Sequence, residues 1–309
     1  MRIVVASGKG GTGKTTVATS LALVAAEQES VRFMDCDVEA PNAALFLDPI
    51  LDTRKEVGLL IPQVDETVCT YCGKCAEVCQ FHAIAVIGKQ TLVFPQLCHG
   101  CGSCTLVCPE NAISEHLDVI GVLESGPATH GIDFAQGVMN VGEPMAVPII
   151  RELKRWESTS NISLRAQSAK QFGEDGRLLR RDEHTPRNDI EIRDAPPGAS
   201  CPVVETIRGA DFVLLVTEPT PFGLHDLKQV AEITRALGLP TGVIINRDGI
   251  GDNAVQKYCD DSGIPILMRI PMDRQIAEGI AQGHTLIEIK PKLGLAFSEM
   301  LAQIVQRVA

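Results

Sequence analysis

Aromatic side chains are scarce in this chain: they make up 4% of 309 residues, with one Trp and two Tyr. Stacking the bases of single-stranded nucleic acid needs aromatic platforms, so that class of function is disfavoured. Positive charge is also in short supply. Lys and Arg number 28 against 39 Asp and Glu, a formal charge of -11, which argues against a broad nucleic-acid surface. No apolar run approaches the roughly 20 residues that span a bilayer. The opening Arg2-"IVVAS" has the β-branched character of a strand and lacks the apolar region and cleavage site of a secretory signal. A cytoplasmic protein is expected, with no nucleic-acid partner and no stable membrane anchor. Against these shortages stand 11 cysteines, which in a reducing compartment point to metal or catalysis before disulfides.

The chain is long enough for one large core or two domains. "RIVVAS" (2–7) reads as a strand, 15–28 as a helix with apolar residues at helical spacing, and "VRFMDCD" (31–37) as a second strand ending in acids. The pattern resumes late. Strands are predicted at 189–194, 211–218, 240–247 and 264–271, and helices at 201–210, 221–238, 252–263, 274–283 and 291–308. This alternation predicts an α/β fold, a mostly parallel sheet flanked by helices. Two stretches interrupt it: the cysteine-rich 63–114, and the polar 157–188, which reads as a long exposed loop. The last helix carries an apolar stripe and little basic charge, so core packing is expected of it.

Gly8, Gly13, Lys14 and Thr15 fit the P-loop pattern between a strand and a helix. Glycines such as Gly10 and Gly11 let the backbone curl, so that N–H groups from Gly8 through Thr12 to Thr16 face phosphate oxygens. The helix start adds its positive dipole end. Lys14 would reach the β- and γ-phosphates, and Thr15 would offer its hydroxyl to Mg²⁺. Lys9 is an extra lysine that this pattern does not require.

With that lysine, "KGGTGKTT" resembles the deviant Walker A motif of the MinD/ParA/Mrp family of P-loop ATPases, and the family's order of motifs continues along 1–62 and 115–309. The resemblance implies an ATP-dependent homodimer, or a heterodimer with a paralogous ATPase, in which Lys9 reaches the partner's nucleotide. "DCDVEAPN" (35–42) is similar to switch I, with Asp37 orienting the attacking water and Asp35 near Mg²⁺. "DAPPG" (194–198) is similar to Walker B and switch II, with Asp194 holding Mg²⁺ through water and the Gly198 N–H near the γ-phosphate. Asn246 and Arg247, with Pro271 and Asp273, resemble the adenine-binding positions.

The cysteines form two runs, Cys69-x2-Cys72-x2-Cys75-x3-Cys79 and Cys98-x2-Cys101-x2-Cys104-x3-Cys108, each cysteine repeated 29 residues later. Ala83-Ile84 and Ala112-Ile113 repeat at the same offset. The spacing is that of bacterial ferredoxins with two [4Fe–4S] clusters, in which the fourth cysteine of a run serves the other cluster. The resemblance assigns Cys69, Cys72, Cys75 and Cys108 to one cluster, and Cys98, Cys101, Cys104 and Cys79 to the other. Gln80 stands where the motif has Pro. Residues 63–114 are thus expected to be a small α+β bacterial-type ferredoxin domain inserted in the ATPase, held together by its clusters. Cys36, Cys201 and Cys259 are expected to be small buried hydrophobes, with a bridging cluster at Cys201 as the alternative. His99 is expected at the surface, or beside a cluster.

Together these features predict a slowly hydrolysing ATPase that gates electron transfer, or docking of a redox partner protein, through two clusters. An ATP-dependent carrier of iron–sulfur clusters and a ParA-like spatial or redox-sensing regulator are the competing expectations.

Overall fold

A computed structural model describes residues 1–156 and 190–308. The polar stretch predicted as a loop at 157–188 lies outside the described residues.

The chain opens with the expected β-α-β unit: β1 (Arg2–Ala6), α1 (Lys14–Ala26) and β2 (Val31–Asp35). A short α2 (Ala44–Leu47) leads to β3 (Thr53–Val64). The cysteine segment follows, with α3 (Lys74–Val78), β4 (Ile84–Val86), β5 (Thr91–Val93) and α4 (Ser103–Val107). Then come β6 (Ile113–Pro127), β7 (Asp133–Met139), α5 (Val147–Arg155) and β8 (Ile190–Asp194). The remainder alternates: α6 (Cys201–Ile207), β9 (Phe212–Thr217), α7 (Pro221–Ala236), β10 (Thr241–Asp248), α8 (Ala254–Ser262), β11 (Ile266–Pro271), α9 (Arg274–Ala281), α10 (Leu286–Ile289) and α11 (Lys292–Val308).

Nine strands form one sheet in the order β11-β10-β9-β1-β8-β2-β7-β6-β3. Pairings from β11 to β7 are parallel, and β7-β6-β3 is antiparallel. Strands such as β9 are buried along their whole length, as a parallel sheet covered on both faces requires. One face packs Val17, Leu21 and Phe33 against Phe297, Met300 and Ile304 of α11, so the last helix is a core element. The other packs Val4 and Val213 against Val203, Leu227 and Val230. Helix α1 is sandwiched, with every residue from Lys14 to Ala25 buried, and its Thr19 and Ser20 hydroxyls donate back to the Thr15 and Thr16 carbonyls at 2.9 and 2.7 Å.

The antiparallel end was not anticipated. β3 and β6 pair from Thr53↔Ser125 out to Val64↔Ile113; β7 covers β6 only from Gly121 on, so the pair runs beyond the sheet as a two-stranded arm, and the cysteine segment joins its far ends. Residues 63 and 64 therefore finish one arm strand and 113 and 114 begin the other.

Candidate nucleotide site and cysteine module

The loop between β1 and α1 bends through two left-handed glycines, Gly11 (φ 76) and Gly13 (φ 88). A Cβ on Gly13 would sit 2.4 Å from Asn246 Nδ2, which donates to the Thr12 carbonyl at 2.7 Å. A Cβ on Gly8 would sit 2.4 Å from the Asp226 carbonyl on α7. Both positions need glycine because another part of the chain comes close. The first N–H groups of α1 have no partner within the helix, which suits an anion.

The charged residues converge at the carboxyl ends of β1, β2 and β8. Lys14 Nζ lies 2.6 Å from Asp194 Oδ1 and 3.8 Å from Asp37 Oδ2. The Thr15 hydroxyl donates to Asp194 Oδ2 at 2.5 Å. Burial opposes charge on Lys14, but Asp194, Asp35 and Asp37 outweigh it and hold the ammonium above its ordinary value. Burial pushes Asp37 up to about 6 against the pull of Lys14. Asp35 is fully buried and raised to about 7, by burial first and Asp194 second. Its carboxylate accepts from the backbone N–H groups of Asp37, Asn42 and Ala43 at 3.1, 2.9 and 3.0 Å, so it shapes the turn that presents Asp37.

A cavity of about 560 Å³ opens over this cluster. Lys9, Gly10, Gly11, Gly13, Lys14, Thr15, Thr16 and Asp37 line its polar end, and Asn246, Arg247, Pro271 and Asp273 line it further out. Gly8, Thr12, Asp35, Asp194 and Gly198 stand behind the lining; the Gly198 N–H, at φ 100, donates to the Ser7 carbonyl at 2.9 Å. Thr12 Oγ1 is buried with no hydrogen-bond partner among the described residues. Asp273 caps α9 by accepting from Gln275 N at 2.8 Å and pairs with Lys290 at 2.8 Å. The donors and volume fit a magnesium nucleotide, with Thr15 and Asp194 as the metal-side pair.

Several lining residues had not been anticipated. Phe46, Ile276, Ala277 and Ile280 make an apolar end wall with Met272; only Met272 lies in a marked stretch, the "IPMD" of 270–273. Glu218 was also missed. It follows the apolar run of β9 and accepts from Lys9 and Arg247. An acid at the carboxyl end of a parallel strand, where α/β sheets bind ligands, was the available signal.

In the cysteine segment the 29-residue repeat is visible in the backbone. Left-handed residues recur as Tyr71 and Gly100, Gly73 and Gly102, and His82 and Asn111, and α3 is matched by α4. Two small cavities lie between the repeats. Cys69, Cys72 and Cys75 line one with Cys108; Cys98, Cys101 and Cys104 line the other with Cys79. The Ala83 and Ala112 N–H groups donate to Cys79 Sγ and Cys108 Sγ, each at 3.3 Å, so the repeat extends to the bond that each fourth cysteine receives. No three His, Cys, Asp or Glu among the described residues converge as ligands of a single metal ion would. His99 is exposed, lines the second cavity and stacks on Phe81 at 3.6 Å.

Cys36 and Cys259 are buried, and burial pushes their thiols up to about 12 and about 11. The expectation of burial fails for Cys201. It opens the short α6 and faces solvent, because the helix turns Val203 and Ile207 toward the core instead. No described helix is long and apolar enough to cross a membrane.

This fold and site define a P-loop nucleotide-binding protein. Residues 3–287 match the CobQ/CobB/MinD/ParA nucleotide binding domain, and the chain belongs to that family. It is 28% identical to the Methanocaldococcus jannaschii protein MJ0579 over 93% of this chain and 92% of that one. It is 24% identical to that organism's iron-sulfur cluster carrier protein, over 39% of this chain and 47% of the carrier. Among solved structures, the fold is similar to the septum site-determining protein MinD with Mg-ADP from Pyrococcus horikoshii, at TM-score 0.53, 20% identity, and 98% and 95% coverage of the two chains.

Proposed function

We propose that this chain is a dimeric ATPase whose nucleotide cycle acts on two [4Fe–4S] clusters in the cysteine module, gating electron transfer or docking of a redox partner. The observation that carries the coupling is Val38. It follows Asp37, is 1% exposed, and packs in one cluster with Val57 of β3, Ile120 of β6 and Ile149 and Ile150 of α5. Its carbonyl accepts from the Met139 N–H at 2.8 Å. A shift of Asp37 on nucleotide binding cannot leave the arm's root undisturbed, because packed cores do not deform continuously. A polar link runs parallel: Glu152 of α5 pairs with Lys55 of β3 at 3.4 Å, and Lys154 of α5 pairs with Glu205 of α6 at 3.4 Å. Helix α6 follows the segment of Asp194 and Gly198.

Lys14 would meet the terminal phosphates of ATP, and Asp37 would orient the attacking water. Bound Mg²⁺ would neutralise the charge that grows on the phosphates, held through Thr15 and Asp194. Lys9 would serve the partner's nucleotide, as the family resemblance implies. Asn246, Arg247, Pro271 and Asp273 would frame the base. In the module, each three-plus-one cysteine set would hold one cluster, and bound clusters supply one-electron redox chemistry. The N–H groups of Ala83 and Ala112 would orient the sulfurs of the two crossing cysteines.

A cluster-carrier reading is favoured by the likeness to the M. jannaschii carrier protein. Two full four-cysteine sets support retention instead. Anaerobically purified protein decides between them, by iron and sulfide content, electron paramagnetic resonance and stopped-flow reoxidation. Two clusters are expected to stay bound through ATP turnover, with reoxidation rates that differ between ATP and ADP. Transfer of iron to an apo-acceptor would favour the carrier. Zinc in place of iron, or failure to hold adenine nucleotide, would overturn the proposal.

A further inference from the structure

We propose that Glu218 is a positioning residue of the nucleotide site: it latches the Lys9 ammonium within its own chain until the phosphates of a nucleoside triphosphate draw that amine away. The inference rests on reading the cavity as a nucleotide site.

Glu218 lies one residue past the end of β9, and its side chain is 7% exposed. Three side chains donate to it. Lys9 Nζ and Thr220 Oγ1 meet Oε1, the latter at 3.3 Å, and Arg247 Nη1 meets Oε2 at 2.9 Å. Burial would raise this carboxyl, but the bonds and charges of Lys9 and Arg247 prevail and hold it below its ordinary value. It is therefore a fixed negative charge between two cations.

The two cations are not held alike. Arg247 has a second anchor, since its Nη2 donates to the Gly11 carbonyl at 3.0 Å. Its backbone is left-handed, φ 54, a conformation that persists in a non-glycine residue only where its surroundings enforce it. Among the described residues Glu218 is the one partner of the Lys9 ammonium, and Lys9 keeps a third of its side chain exposed. Both cations line the cavity, whereas Glu218 stands behind them. When two copies meet, the phosphates of the partner's nucleotide thus compete with Glu218 for Lys9 and leave Arg247 tied to its own loop. The competition strengthens with ligand charge, so the latch favours release by triphosphate over diphosphate.

The test uses the full chain as wild type, Glu218→Gln, Lys9→Ala and the double variant. Acetic anhydride labelling of nucleotide-free protein, read by peptide mass spectrometry, reports Lys9 directly. Lys9 should label more slowly than Lys55 in the wild type, and several-fold faster in Glu218→Gln, with other lysines unchanged. A structural loss would speed many lysines together. Calorimetry should show ATP binding tightened about fivefold in Glu218→Gln, with ADP changed less than about twofold. Lys9→Ala should abolish that gain in the double variant. Equal labelling of Lys9 and Lys55 in the wild type, or an unchanged Lys9 rate in Glu218→Gln, overturns the latch. Because labelling needs no nucleotide, a wild type that binds none would sink the nucleotide reading and leave the latch to be decided by the labelling alone.

Discussion

Asp37 pays for its position with charge. It is an acid raised from 3.8 to about 6, mainly by burial. For such a group the folded state binds the proton more tightly than the unfolded chain. The ionised carboxylate therefore costs stability above about pH 6, and the cost fades as pH falls toward 4. Asp37→Asn should raise the melting temperature of the nucleotide-free protein at pH 7.5 by a few degrees. The gain should shrink steadily below pH 6 in the same scans, while ATP turnover falls by at least about tenfold. At this scale the sequence was most readable where function demands a rigid spacing. Lys14, Thr15, Asp37 and Asp194 meet around one point although 180 residues separate Lys14 from Asp194. Of Glu218 only its place at the end of a strand was readable. Its two cationic partners stand at sequence positions 9 and 247, brought together only by the strand order of the sheet.

Among the elements, the arm is the piece that periodicity could not supply. β3 contains Pro62 and Gly58, and both argue against a strand in the middle of a sheet. Yet β3 ends the strand order, and an edge strand tolerates a missing N–H. Gly58 sits at a register shift, where a Cβ would lie 2.4 Å from the Asp118 carbonyl. The parallel strands were legible because burial on both faces leaves an uninterrupted apolar run, as in "FVLLVT". The arm is covered only near its root, so its outer half carries exposed Leu60 and Leu117 beside charged residues. A prediction belongs here. Val38→Ala should cost about 2 kcal/mol of stability by leaving a cavity between the Asp37 segment and the arm. It should also reduce the difference in hydrogen exchange at 53–64 and 113–127 between ADP and ATP. An unchanged nucleotide response in a folded variant would remove Val38 from the coupling path.

For the whole molecule, the described core is divided very unequally. The clusters around α1 and α7 join many large side chains, whereas the one beneath the cysteine module centres on Ile61, Ala83 and Cys98. The module also leaves Ile87 and Leu106 exposed. Such a segment needs support other than apolar burial. Stripping iron with a chelator should abolish exchange protection across 65–112, while α1 stays protected and ATP still raises the melting temperature. Native mass spectrometry should then show that ATP assembles dimers with or without iron, and that Lys14→Ala stays monomeric. A single transition that unfolds everything on iron loss would contradict this division.

Each small cavity in the module borrows one cysteine from the opposite repeat: Cys108 closes the first, and Cys79 the second. The halves are thus knotted together by exchange. A chain that lost either repeat would keep no intact quartet, so the doubled unit can be inherited, transplanted or discarded only whole.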